Sequence, residues 1–316
     1  MNRNTIHVII NPASASGRTG SRLSQIRHLL DRRLGAGYSL HVTSRPLEAT
    51  LSARNAIHAG CDLIIAVGGD GTVQETVNGF FERGCMINPQ CRLGIIGSGT
   101  GRGFCQSLGL PAALADQVEI ACRGRERTID IGRINFSGEN GEKLSRYFAN
   151  ECQVGIGSEV VRRVRSRQKL LGGWAAFGLS TLAAAFTYPD HLITVTVDDH
   201  RLEPRRLIAV MVGNGDRAAG GMRLTPQARM DDGLLDIMLI HQQTLPHRLR
   251  NFSRIYSGRH QGQKGFQFFK GRCIEIESAE NVGVEADGEW LGYPSCQIEV
   301  ISAALRVKAL PGPREE

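Results

Sequence analysis

Aromatic residues are scarce in this 316-residue chain, at 6%. They are not interleaved with basic residues, so no RNA-binding module is expected and nucleic acid is not an expected partner. The eight cysteines, at positions 61, 85, 91, 105, 122, 152, 273 and 296, form no CxxC pair. That argues against zinc and redox motifs and suits reduced, mostly buried thiols of a cytoplasmic protein. The histidines show no ligand spacing. There is no HExxH, no GxSxG, no complete GxGxxG and no GxxxxGK followed by Ser or Thr. Zinc-protease, nucleophile-elbow, Rossmann-fingerprint and Walker chemistry lose their usual signatures with them. Internal repeats and low-complexity linkers are also missing. Met1-Asn2-Arg3-Asn4-Thr5 leads straight into an apolar strand pattern, so no signal peptide is expected.

What is present favours anionic partners. The formal net charge is +7, which suits nucleotides and acidic lipid head groups. The length allows two domains, each with its own core. Residues 5–131 alternate apolar strand runs (Ile6–Ile10, Tyr38–Val42, Leu63–Val67, Leu93–Ile96, Thr128–Ile131) with helical patterns (Gly20–Arg33, Leu47–His58, Val73–Arg83, Ala112–Ala121). That alternation predicts a doubly wound parallel α/β domain over 1–131. From 132 to 316, short β-rich runs such as Tyr147–Gln153, Leu207–Val212, Gln297–Ile301 and Ala304–Val307 predict an antiparallel β-sandwich. A helical region near 160–188 and a helix near Leu245–Tyr256 interrupt it. The stretch from Leu170 to Pro189 carries no charge, yet it is rich in Gly, Ala, Ser and Thr. It reads as a core or interfacial helix rather than a membrane span. The basic run Arg162, Arg163, Arg165, Arg167 and Lys169 precedes it. With Trp174, Phe177 and Phe186 it fits docking on an anionic membrane surface; a solvated helix followed by a core helix fits equally.

The densest chemical signal is Gly68-Gly69-Asp70-Gly71-Thr72, after the Leu63–Val67 run. Three glycines in five residues leave backbone N–H groups free to face a phosphate. Asp70 puts a carboxylate where a phosphate-bound metal can sit, and Thr72 adds a hydroxyl. Val73 and Gln74 open a helix whose N-terminus points at the same spot. Ligands of such sheets bind beyond the carboxyl ends of the strands, where Asn11, Thr43, Gly68–Thr72 and the Gly97–Gly103 loop all fall.

These residues resemble the ATP-binding signature of the diacylglycerol kinase catalytic-domain family. Asn11-Pro12-Ala13-Ser14-Ala15-Ser16-Gly17 resembles its opening loop, with two extra residues. Gly99-Thr100 and Ser107-Leu108-Gly109-Leu110-Pro111 resemble its second Gly-rich segment and the continuation. The resemblance implies ATP contacts from Asn11, Thr43, Gly68, Gly69, Asp70, Gly71, Thr72, Val73, Gln74 and Thr100. The family's Asn-Asp pair is replaced by Arg102-Gly103. Arg102 can instead grip phosphate with a planar fork of donors. Asp130 matches another acidic residue of the family's metal–water network.

In the second half, Asp231-Asp232-Gly233-Leu234 resembles the family's structural Mg²⁺ loop, implying ligation by Asp232 and the Arg229 and Leu234 carbonyls. A plain type I′ Asp-Gly hairpin is the alternative. Asp287-Gly288-Glu289 matches the family's Asp-Gly-Glu motif. Glu289 is the expected proton acceptor, with Asp287 orienting it or sharing the proton. The resemblance spans nearly the whole chain. It implies an ATP-dependent lipid kinase acting on diacylglycerol or a related alcohol, with Mg²⁺, peripheral on an anionic membrane and otherwise cytoplasmic. Two other readings stay open: a related kinase acting on a sphingoid-like alcohol or NAD, and a non-catalytic nucleotide or lipid binder.

Overall fold

The computed structural model describes residues 5–98, 102–138, 141–171, 187–218 and 220–310, with the backbone alone over 164–171. The chain divides into two compact units. One comprises Met1–Ile129 together with Ala303–Glu316, the other Asp130–Ser302. The chain therefore crosses twice. The boundary read from sequence, 1–131 and 132–316, assigns the final strand segment to the second unit, whereas Arg306 and Val307 pair in parallel with Arg92 and Leu93 of the first. The cause is one continuous strand, Glu289–Ala309, where sequence predicts two separate short runs.

In the first unit the strands Tyr38–Val42, Ile6–Ile10, Leu63–Gly68 and Arg92–Gly97 lie side by side in that order, all parallel. Leu63–Gly68 is buried along its whole length, which is why it reads as an uninterrupted apolar run. Val8, Ile10, Ile65, Val67 and Ile96 share one cluster with Ile26 and Leu30 of the helix Leu23–Leu34 and with Val118 and Ala121 of Leu114–Arg123. Ile9, Ile64, Ala66 and Ile95 alternate with those residues and are equally buried, so the opposite face is covered as well. The strand Ile6–Ile10 has its sequence successor on one side and Leu63–Gly68 on the other. The order therefore reverses between these two strands. In open α/β sheets that reversal opens a crevice at the strands' carboxyl ends.

Every described pairing wholly within the second unit is antiparallel. Glu151–Gly155, Arg205–Gly213, Leu235–His241 and Phe266–Gly271 form one ladder, and Cys273–Glu277 pairs with Glu289–Ala309 in another. His191–Val197 belongs to both, pairing with Arg205–Gly213 through its first residues and Cys273–Glu277 through its last. Val154, Val210, Val212, Ile237 and Leu239 meet Ile193, Val195, Ile274, Ile276 and Ile298 in one core. A second cluster, including Ile208, Met211 and Ile240, receives Ile255 from the helix Leu245–Ser257. The helix Ile156–Leu171 covers the start of the 160–188 region. Trp174, Phe177 and Phe186 lie outside the described residues. No helix among the described residues is long and apolar enough to cross a membrane.

Candidate functional site

At the crevice of the first unit, Gly68 ends its strand and Gly69 caps a helix that runs Asp70–Gly79. The helix thus starts three residues before the predicted Val73, placing Asp70, Gly71 and Thr72 in its first turn. It ends at Gly79 rather than Arg83, because Phe81-Glu82 pairs with Cys85-Met86 in a small hairpin. A helix's first turn leaves N–H groups without intrahelical partners, and the helix dipole adds positive potential there. A side chain at Gly68 would collide with Thr72. That close approach lets Asn11 Nδ2 donate to Thr72 Oγ1 at 3.0 Å, joining the ends of the first and third strands. Thr43 N–H donates to the Ile10 carbonyl at 2.9 Å, closing the same edge from the second strand. Val73 and Gln74 are buried.

Asp70 is half-buried. Its Oδ2 accepts the Gly103 N–H at 3.3 Å. Burial pushes its carboxyl up, opposed by the N–H groups of Gly103 and Phe104 and by the charge of Arg102. Arg102 does not point freely outward. It caps the short helix Gly103–Ser107 in a left-handed conformation, φ 46°, and donates from Nη2 to the Pro111 carbonyl at 2.6 Å. Thr100 lies outside the described residues.

One residue that sequence reasoning passed over, Thr19, holds these loops together through Ser14 and Ser98. Thr19 Oγ1 lies 2.5 Å from Ser14 Oγ and 2.6 Å from Ser98 Oγ. Thr19 is fully buried, which ties the loop after the first strand to the loop after Arg92–Gly97. The sequence signal for Thr19 is no more than a hydroxyl in each of the two Gly-rich loops it joins.

In the second unit Asp287 and Gly288 both have positive φ, 48° and 81°, while Ala286 pairs with Glu289. That is the two-residue type I′ turn favoured by Asp-Gly. The Asp287 carboxylate accepts three backbone N–H groups, from Ala149 at 2.8 Å, Asn150 at 3.0 Å and Glu151 at 2.9 Å. Three converging donors are matched by a carboxylate that only accepts. Asp287 is thus an anchor of the turn. Glu289 follows directly, half-buried at the start of its strand.

Behind the turn lies an acidic pair that sequence reasoning missed. Glu285 and Glu151 are buried, 1% and 7% exposed, and hydrogen-bond to each other. Glu285 Oε2 also accepts the Gly288 N–H at 3.0 Å. Burial, then the charge of Glu151, pushes the Glu285 carboxyl well up, which favours a proton on the pair. Its signal was a charged residue inside the otherwise apolar Val282–Ala286 run. The folded state keeps that proton while the unfolded chain releases it above the ordinary glutamate value of 4.5. Stability is therefore full below that pH and declines as pH rises toward the raised value, at up to about 1.4 kcal/mol per pH unit. Glu285→Gln needs no proton. Its melting temperature is expected to gain on the wild type steadily from acid to mildly alkaline pH, and parallel melting curves would refute the shared proton.

Asp130 Oδ2 accepts the Gly233 N–H at 2.7 Å, holding the Asp232 loop. Asp232 Oδ1 accepts the Leu234 N–H at 3.2 Å, while Lys270 Nζ stands 3.2 Å from its other oxygen and 3.1 Å from Asp236. The described residues hold no cluster of three or more His, Cys, Asp or Glu side chains suited to a metal.

Against known proteins, residues 5–134 match the diacylglycerol kinase catalytic domain, and residues 150–309 match the YegS C-terminal NAD kinase beta sandwich-like domain. A YegS-like lipid kinase assigned in Chromohalobacter salexigens is 28% identical over 96% of this chain and 93% of its own length. The diacylglycerol kinase of Bacillus subtilis is 27% identical over 90% of this chain and 89% of its own. A solved structure from Bacillus anthracis str. Sterne, of a protein assigned as a diacylglycerol kinase, superposes with a TM-score of 0.77 at 25% identity. It covers 98% of this chain and 99% of that one. With both domain models matching in sequence order, the chain belongs to the diacylglycerol kinase family, in its YegS-like form.

Proposed function

We propose that this chain transfers the γ-phosphoryl group of ATP to a hydroxyl of diacylglycerol or a related lipid alcohol. The observation that carries this reading is the Gly68–Thr72 turn: a glycine-lined helix N-terminus at the reversal point of a parallel sheet, laced to Asn11. The first unit is a doubly wound α/β domain and the second an antiparallel β-sandwich, as the strand orders and two-faced burial support. Asn11, Thr43, Gly68–Thr72, Val73, Gln74 and Thr100 contact the nucleotide. Arg102, held on Pro111 beside Asp70, contributes positive potential near the phosphates. Glu289 takes the proton of the lipid hydroxyl as its oxygen bonds to the γ-phosphorus. The bond to the bridging oxygen breaks and ADP leaves. Positioning and electrostatics supply most of the acceleration in phosphoryl transfer. The protein works as a peripheral enzyme on an anionic membrane surface.

Mg²⁺ would accompany ATP and neutralise phosphate charge, and Asp232 with its neighbouring carbonyls would hold a structural ion. The donors there, one carboxylate with the Arg229 and Leu234 carbonyls, are all hard oxygens, which suits Mg²⁺. Lys270 shares the Asp232 carboxylate and has Asp236 as a second acceptor. Because an ion bound only to the folded state stabilises it, chelator is expected to lower the melting temperature of the wild type and leave Asp232→Ala unmoved. An equal chelator shift in the variant places the ion elsewhere.

The activity itself is tested with γ-labelled ATP, where label is expected to enter the organic phase with diacylglycerol. Nucleotide binding without transfer to diacylglycerol or a sphingoid alcohol would favour a non-catalytic binder.

A further inference from the structure

Among the described residues, the helix Leu245–Ser257 packs one face on the second unit and leaves a row of apolar side chains outward. Asn251 and Ile255 point into the second unit, 5% and 9% exposed. Leu245, Leu249 and Tyr256 lie outward at 43%, 44% and 43% exposure. Phe252, half-buried, lies at the stripe's inner edge: it packs against the core cluster that receives Ile255 and sets its ring edge-on against Tyr256 with centroids 5.5 Å apart. Spacings of four, three and four residues put these four side chains on one stripe of the helix. Scattered exposed leucines are ordinary, but a continuous stripe across three turns is not.

The charge carried by the helix itself and by the segment after it is of one sign. No Asp or Glu occurs between Asp236 and Glu275, a stretch that includes Arg248, Arg250, Arg254, Arg259 and Lys264. Arg250 and Arg259 are exposed. Arg254 turns to neutral partners, Asn251 and Gln263. By contrast, the first two arginines of the basic run near 162 both pair with Glu159, at 2.7 Å each. The helix is also fixed to the end of the uncharged segment: Arg248 Nη1 donates to the Tyr188 carbonyl at 2.8 Å.

We infer that the outward stripe of the helix Leu245–Ser257, flanked by Arg250 and Arg259, docks this protein on a bilayer surface containing acidic phospholipid. A helix with an apolar stripe, basic residues and no acidic ones lies in the interface plane, its side chains reaching the acyl boundary and its arginines the phosphates. An acidic protein would meet the charge but not the length of exposed apolar stripe without polar partners; a neutral bilayer would leave the arginines unanswered. The inference rests on the lipid-kinase reading only for why the protein visits a bilayer, since docking is measured without catalysis.

The test is flotation of the full chain with vesicles of phosphatidylcholine alone and of phosphatidylcholine mixed with phosphatidylglycerol. The wild type is expected to float with the mixed vesicles and to be released by salt. Leu245→Ser with Leu249→Ser should cut that partitioning by at least ~10-fold. Arg250→Gln with Arg259→Gln should cut it by roughly fivefold per arginine and flatten the salt dependence. Both variants should keep the wild-type melting temperature and the wild-type rate on a water-dispersed short-chain diacylglycerol. Equal flotation with both vesicles, a leucine variant that floats like the wild type, or a leucine variant that changes the chain's oligomeric state would each overturn the inference. If no label reaches diacylglycerol while these flotation differences hold, the catalytic reading fails and the docking surface stands.

Discussion

Glu289→Gln is expected to lower kcat for lipid phosphorylation by at least ~100-fold at saturating ATP, with little change in the KM for ATP. Removing a general base slows the step in which the hydroxyl loses its proton, and leaves nucleotide binding alone. The melting temperature should stay near that of the wild type, since Glu289 is half-buried at the start of a strand. The neighbouring acid behaves in the opposite way. Asp287→Ala removes the acceptor for three N–H groups on Ala149, Asn150 and Glu151, all buried. At roughly 1 kcal/mol or more for each stranded donor, its loss costs about 3 kcal/mol of stability. Steady-state kinetics beside thermal melting therefore separates the two carboxylates. A Glu289→Gln enzyme whose KM for ATP rises while kcat holds would make Glu289 a nucleotide ligand and leave the base unassigned.

The expected difference between Asp287 and Glu289 rests on contacts far apart in sequence. Asp287 meets its three donors across 138, 137 and 136 residues. The Asp-Gly-Glu spacing shows two acids at a turn, but not which one is caged. The same cage explains why Tyr147–Gln153 is two strands, Lys143–Phe148 and Glu151–Gly155, rather than one. Ala149 and Asn150 leave the ladder to aim their N–H groups at Asp287. Likewise Phe266–Gly271, which alternates poorly, becomes a strand because Leu235–His241 offers it an edge. Sequence periodicity misses it, since tertiary pairing decides it.

The first unit was more legible. Parallel strands buried on both faces must be apolar throughout, so Leu63–Val67 and Leu93–Ile96 announce themselves within a residue or two of their bounds. The convergence of Asn11, Thr43 and Gly68–Thr72 follows from strand direction alone. The sequence could not show that the chain returns after residue 302 to add Arg306 and Val307 beside Arg92 and Leu93. Nor could it show that Arg102 spends a donor on Pro111. The first is a consequence of packing between distant segments and the second of a local loop contact, and neither leaves a periodic trace.

Asp70→Asn is expected to reduce phosphoryl transfer by ~10²–10³-fold, the usual loss when one preorganised electrostatic partner is removed from a phosphate site. The substitution keeps an oxygen for the Gly103 N–H and removes only the charge. Its effect on stability should have the opposite sign. Burial pushes the Asp70 carboxyl up, so the folded state binds a proton there more tightly than the unfolded chain does. For such a group the folded state is favoured at acid pH, and that advantage is lost as pH rises above the ordinary aspartate value of 3.8. Once ionised, the carboxylate is therefore a net cost to folding, and asparagine relieves it. The variant should melt at or above the wild type, with the difference growing from acid to neutral pH. A residue kept at a cost to stability is one the chemistry requires. Near-wild-type transfer by Asp70→Asn would remove Asp70 from the phosphate site. A variant that is inactive but melts below the wild type would instead make the carboxylate a structural brace for the Gly103 loop. Inactivity together with a raised melting temperature assigns the charge to phosphoryl transfer, and the Gly68–Thr72 turn with it.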